Sequence, residues 1–183
     1  MYEQGIYVEK DIKKAIEIYE KAAMLNSSSA QNSLGIIYLN GIGVEVDYQK
    51  AYKWFDKAAS QMELTAMVNI GRMHRLGLGM EIDYDLAFKT FNYAAVHGNV
   101  YAQYELGNMY YNGDGMEKDW PTALKIYKAS GNGGFSESQT LVGYMYENGE
   151  GAEKNISEAI KWYEKAAKQG HGYAQERLEA LKE

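Results

Sequence analysis

The 183-residue chain has no cysteine, one proline, no run of lysine or arginine, and no apolar stretch near the roughly 20 residues that a membrane-spanning helix needs. Without cysteine there is no disulfide framework, no thiolate metal site and no cysteine nucleophile, which suits a reducing compartment. Its three histidines, His74, His97 and His171, lack the His-Glu-x-x-His or comparable spacing of a metal centre, so neither a metal nor a cofactor is expected. A formal net charge of −6 argues against a general phosphate-binding surface and hence against a nucleic-acid partner. Hydrophobic residues make up 46% of the chain, enough to build a core.

What the chain has is a period. At intervals of 36 residues Ala30, Ala66, Ala102, Ser138 and Ala174 align, followed by Gly35, Gly71, Gly107 and Gly143, and then by Gly41, Gly77, Gly113 and Gly149. Sixteen of the 19 glycines fall at only four places in this repeat, so they answer a backbone requirement rather than a flexible composition. A strict period in this range marks elements that bury too little surface alone and become stable by stacking. The expected organisation is one stacked domain over 1–183: a partial repeat at 1–29, complete repeats at 30–65, 66–101, 102–137 and 138–173, and a capping helix at 174–183. In that last segment Glu179 replaces the mid-helix glycine, as suits a polar outer face.

Within repeat 30–65, Ala30, Leu34, Ile37 and Tyr38 recur at helical spacing. Asn40-Gly41-Ile42-Gly43 breaks the pattern, and Ala51, Trp54, Phe55, Ala58 and Ala59 resume it, which predicts a helix–turn–helix hairpin. Gly41 and its equivalents stand where a helix closes in the left-handed conformation. Asp11, Asp47, Asp83, Asp119 and Asn155 precede the second helices as N-caps, and Pro121 fits the first turn of one of them. Gly35, Gly71, Gly107 and Gly143 fall mid-helix, where glycine costs about 1 kcal/mol relative to alanine. Close approach of the paired helix is the expected reason, with Ala51, Ala87, Ala123 and Ala159 as the small residues facing them.

The pattern Ala-x3-Leu-Gly-x2-Tyr-x2-Gly-x-Gly-Val-x2-Asp-x3-Ala-x2-Trp-Phe-x2-Ala-Ala, running from Ala30 to Ala59, resembles the Sel1-like repeat, a relative of the tetratricopeptide repeat. The repeat containing Gly143, Tyr146, Gly149, Gly151, Ala159, Trp162 and Tyr163 resembles it equally closely. The resemblance implies an all-α fold, a right-handed superhelix of helix pairs, and a non-catalytic adaptor role in protein complexes. Departures fall at His74 and Thr90, at Met62 in place of a helix-ending glycine, and at Ser130-Gly131 in place of Ala-Ala. Ala129 to Gly134 reads as poorly helical, a looser or differently angled junction. His74 is read as filling a tyrosine slot in the packing.

If the phase-holding positions of each first helix pack inward, a second set of positions is left to face a partner. In relatives of the tetratricopeptide class the matching face lines a concave groove. Here it comprises Asn32, Ile36, Leu39 and Asn40; Thr65, Val68, Arg72, Arg75 and Leu76; Tyr101, Tyr104, Asn108, Tyr111 and Asn112; Glu137, Thr140, Tyr144, Glu147 and Asn148; and Tyr173 and Glu176. Tyrosine and arginine are enriched where protein surfaces bind. Tyr104, Tyr111 and Tyr144 are candidate anchors for a partner segment, Arg72 and Arg75 candidate readers of an acidic or C-terminal group, and Ile36 and Leu39 an apolar end. The competing reading is that some of 17 tyrosines face outward by chance and merely cover their neighbours.

Three classes of function stand. The first is a non-enzymatic scaffold that binds a protein or peptide. The second is an envelope-associated glycan or cell-wall binder, whose aromatic residues stack on sugars. The third is a hydrolase, as has been considered for a cysteine-rich branch of such repeats, but those cysteines are absent here and no nucleophile with a nearby base is evident. The Gly-x-Gly of 113–115 returns at 41–43, 77–79 and 149–151, so it reads as a turn rather than a phosphate loop. Carboxylate pairs such as Glu17 and Glu20 read as solvated helix charges beside lysines. Met1 and Tyr2 fall in register with Met73 and Tyr38, as if the chain began inside a helix. A cytoplasmic location is the default, and that register leaves a secretory or periplasmic one open.

Overall fold

A computed structural model describes residues 12–182. Met1, Tyr2 and the Asp11 cap therefore lie outside the described residues. Among those described, every regular element is helical: α1 (Ile12–Met24), α2 (Ser28–Asn40), α3 (Tyr48–Ala59), α4 (Leu64–Leu76), α5 (Tyr84–Val96), α6 (Val100–Asn112), α7 (Trp120–Asn132), α8 (Ser136–Asn148), α9 (Ile156–Ala167) and α10 (Gly172–Lys182). The chain divides into two compact bodies, with the division between Thr90 and Phe91. In the N-terminal body α1 packs on α2, α2 on α3, and α4 on both α3 and α2. In the C-terminal body α6 packs on α7, α7 on α8, α8 on α9, and α9 on α10. This is the all-α, hairpin-on-hairpin arrangement that the period predicts.

Each hairpin is punctuated as its glycines and caps require. Gly41, Gly77, Gly113 and Gly149 end the first helices with φ between 65° and 79°, each donating its N–H to a carbonyl four residues back. Second helices begin on side-chain caps: Asp47, Asp83, Asp119 and Asn155 each accept the N–H three residues ahead, at 2.8–3.0 Å.

At Gly35, Gly107 and Gly143 the nearest neighbours are rings rather than the alanines expected to face them. A Cβ on Gly107 would lie 2.6 Å from Tyr127, and one on Gly143 would lie 2.7 Å from Tyr163; Gly35 faces Phe55 in the same way. The three rings are at most 1% exposed. Ala51, Ala123 and Ala159 are fully buried a turn earlier on the same helices. Pressing an aromatic ring against bare backbone buries more apolar area than two small residues could, and that outweighs the helix propensity lost to glycine.

The segment around Ser130-Gly131 also differs from expectation. It is helical through Asn132, with Ser130 and Gly131 buried. The Ser130 hydroxyl donates to the Val100 carbonyl at 2.8 Å and accepts from the Ser138 hydroxyl at 2.8 Å. A Cβ on Gly131 would meet Trp162 and Gln139 at 3.0 and 3.2 Å. Small residues stand here because neighbouring side chains close on them, a tight joint rather than a loose one. His74 sits edge-on to Tyr52, with ring centroids 5.9 Å apart and both ring nitrogens buried without a hydrogen-bond partner. That is the environment of an aromatic slot.

The joints between hairpins share one contact. Gln31, Gln103, Gln139 and Gln175, each at the second residue of its repeat, donate a side-chain N–H to the carbonyl eight residues back, at 2.8–3.3 Å. Met67 takes that place in the remaining repeat.

Candidate functional site

The C-terminal body carries a hollow of about 400 Å³ lined by Tyr104, Glu137, Thr140, Leu141, Tyr144, His171 and Tyr173. Five of these, Tyr104, Glu137, Thr140, Tyr144 and Tyr173, belong to the face read from the repeat phase. They come from α6, α8 and α10, the first helices of successive hairpins, whose equivalent positions turn the same way.

Two aromatic layers support the walls. Tyr104 meets Phe135 edge-on at 5.2 Å and lies 6.1 Å from the buried Tyr127 ring. Tyr173 meets Tyr163 edge-on at 6.3 Å. Tyr104 and Tyr144 also pack against the cluster of Ala123, Leu124, Tyr127, Val142, Met145 and Trp162, so their inner edges serve the core.

Behind the hollow, Glu147 accepts from the Tyr163 hydroxyl at 2.8 Å and from Arg177, both Nε and Nη2. Burial raises the Glu147 carboxyl, but the bonds from Arg177 and Tyr163 outweigh it and hold the group below its ordinary 4.5. The Tyr163 hydroxyl is pushed far up, first by burial and then by the Glu147 carboxylate.

Other residues expected on the binding face lie elsewhere. Val68 is only 4% exposed, so it is core rather than surface. Its helix packs on both α2 and α3, and adjacent Asn69 donates to Asn32 at 3.1 Å. Ile36 and Leu39 pack, half-buried, against the cluster around Phe55. Arg72 is exposed and Arg75 half-buried on α4. Tyr111 does not line the hollow: its hydroxyl donates to Glu150 at 2.7 Å and its ring stacks near Trp120 at 6.0 Å. Burial first, then the Glu150 carboxylate, drives the Tyr111 hydroxyl far up. Asn108 accepts from the Tyr127 hydroxyl at 2.7 Å, and Glu147 is held by Arg177, so both are committed internally. Tyr101 is 55% exposed and stacks obliquely on Phe135 at 4.5 Å.

His171 in the lining and Phe135 behind it were not anticipated. Both occupy the residue that precedes a first helix, where Ser27, Glu63 and Asn99 cap α2, α4 and α6 with their side chains. Phe135 makes no such cap bond. The break in phase from Ser27, Glu63 and Asn99 to Phe135 and His171 is visible in the sequence at the same 36-residue interval. A lost cap costs typically about 1 kcal/mol, so an aromatic residue there needs another reason.

No described group of three His, Cys, Asp or Glu side chains is placed to hold a metal ion. No helix among the described residues is long and apolar enough to cross a membrane.

The family model for the Sel1 repeat matches residues 1–27, 28–61, 64–98, 100–135 and 136–171. The chain belongs to the Sel1 repeat family. A Sel1 repeat protein from Oxalobacter formigenes is 35% identical with a TM-score of 0.88, over 99% of this chain and 74% of that one. The protective antigen c5321 of uropathogenic Escherichia coli, with an SLR fold, is 33% identical with a TM-score of 0.79, over 97% of this chain and 38% of that one. Immunity protein Pa5087 from Pseudomonas aeruginosa is 27% identical with a TM-score of 0.66, over 88% of this chain and 60% of that one. No curated protein matches the chain. Sel1 repeats generally mediate contacts between proteins, on a scaffold that is generally non-catalytic.

Proposed function

We propose that this Sel1 repeat protein is a non-enzymatic adaptor that holds a segment of a partner protein in the hollow between Tyr104, Tyr144 and Tyr173. One observation carries the reading: five residues of the outward face, Tyr104, Glu137, Thr140, Tyr144 and Tyr173, line a single hollow. The volume suits a few side chains, at the small end of the roughly 300–1,000 Å³ typical of ligand pockets. Tyrosine is among the residues whose truncation most weakens protein interfaces. The surrender of a polar cap at Phe135 in favour of a ring behind Tyr101 and Tyr104 supports the same view.

The test is selection of peptides from a displayed random library against the full chain. Selected peptides are expected to lose tenfold or more in affinity for the Tyr144→Ala, Tyr173→Ala double variant, as befits interface residues worth about 2 kcal/mol. Helical content, followed by circular dichroism, is expected to stay unchanged. Peptides that bind wild type and the folded double variant equally would place the binding face elsewhere.

A further inference from the structure

We propose that the hollow selects a cationic side chain, the guanidinium of arginine or the ammonium of lysine, on the partner segment; this rests on the protein-binding reading above. Three tyrosines and one carboxylate line it, and no lysine or arginine does. The face of an aromatic ring carries partial negative charge and attracts a cation within about 6 Å, most strongly where water is displaced. Glu137 adds a full charge at the rim. Its carboxylate is exposed and accepts only from the Ser136 hydroxyl at 2.9 Å among the described residues, with no ion pair. By contrast Glu147, Glu158 and Glu164 in the same body meet Arg177, Lys161 and Lys182. The hydroxyls of Tyr104, Tyr144 and Tyr173 have no hydrogen-bond partner among the described residues, which leaves them free to accept from a guanidinium or ammonium. Tyr104 and Tyr173 are held in place by the rings behind them, so little side-chain freedom remains to be lost on binding. A chain of net charge −6 adds long-range attraction for the same sign of ligand.

The experiment is a nitrogen-15 NMR titration of the full chain with blocked Gly-Arg-Gly, Gly-Lys-Gly and Gly-citrulline-Gly peptides at millimolar concentration. Citrulline keeps the shape of arginine and removes its charge. The arginine and lysine peptides are expected to shift the amides of Tyr104, Glu137 and Tyr144, and to bind about threefold to fivefold more tightly than citrulline, the worth of an exposed cation–π or ion pair. Glu137→Gln is expected to bring arginine binding down toward the citrulline level, and Tyr173→Leu, which keeps apolar area without the ring, to weaken it in the same sense. Equal affinity for arginine and citrulline overturns the cationic preference and leaves the peptide groove standing. Folded protein whose hollow amides respond to none of the three overturns both.

Discussion

Replacing Gly143 by alanine sets two known effects against each other. In an exposed helix interior the change stabilises by about 1 kcal/mol, because glycine gives up more backbone freedom on folding. At Gly143 the new methyl would lie 2.7, 2.8 and 3.0 Å from Cδ1, Cε1 and Cγ of Tyr163, where ordinary contacts begin near 3.4 Å. The ring must retreat by several tenths of an ångström. It is fully buried and its hydroxyl is tied to Glu147, which Arg177 holds in turn, so retreat disturbs a bonded network. Overpacking of this kind costs typically about 1–3 kcal/mol. The expected net result is destabilisation by up to about 2 kcal/mol, seen as a lower urea midpoint with unchanged slope. Gly172→Ala is the control: nothing stands within 4 Å of a Cβ there, so it should be neutral or stabilising by up to about 1 kcal/mol. In a Tyr163→Leu background the penalty of Gly143→Ala should largely vanish, a coupling that a double-mutant cycle measures. A Gly143→Ala protein more stable than wild type by about 1 kcal/mol, the full helix-propensity gain, would show that the ring does not dictate the glycine.

Two further outcomes follow from local geometry and charge. Met62 has φ of +63°, at the repeat position where Gly98, Gly134 and Gly170 also have positive φ, so Met62→Gly should raise stability by roughly 0.5 kcal/mol in urea unfolding. A measured loss would mean that the methionine side chain outweighs its backbone strain. The Glu147 carboxyl titrates lower folded than unfolded, so its contribution is present above its ordinary 4.5 and fades as pH falls through the folded value. The stability gap between wild type and Glu147→Gln should therefore be widest near neutral pH and narrow as pH falls below the ordinary carboxyl value; a gap independent of pH would refute the role of its charge.

The helix pairs, their caps and their closing glycines were legible because each is enforced by backbone chemistry that repeats with the period. Gly41, Gly77 and Asp47 can be read without knowing what packs on them. The partner of each mid-helix glycine was not, since Ala51 and Phe55 lie one turn apart on the same face of α3 and only the reach of the ring decides between them. Ser130-Gly131 misleads for a related reason: propensity counts the small residues as weak helix formers, while packing by Trp162 and Gln139 demands them. In the candidate site, Tyr104, Tyr144 and Tyr173 follow from helical geometry alone. Val68 does not, because its burial is a tertiary effect that one helix's periodicity cannot express.

The glutamine at the second residue of most repeats has a consequence for how such a chain can grow. Gln31, Gln103, Gln139 and Gln175 each grip a main-chain carbonyl of the hairpin before them, and every residue presents a carbonyl whatever its side chain. A joint made in that way asks nothing of its neighbour's identity. That part of the seam tolerates any neighbour, and what ties one hairpin to a particular next one is left to side-chain pairs such as Ser138 with Ser130 and Arg177 with Glu147.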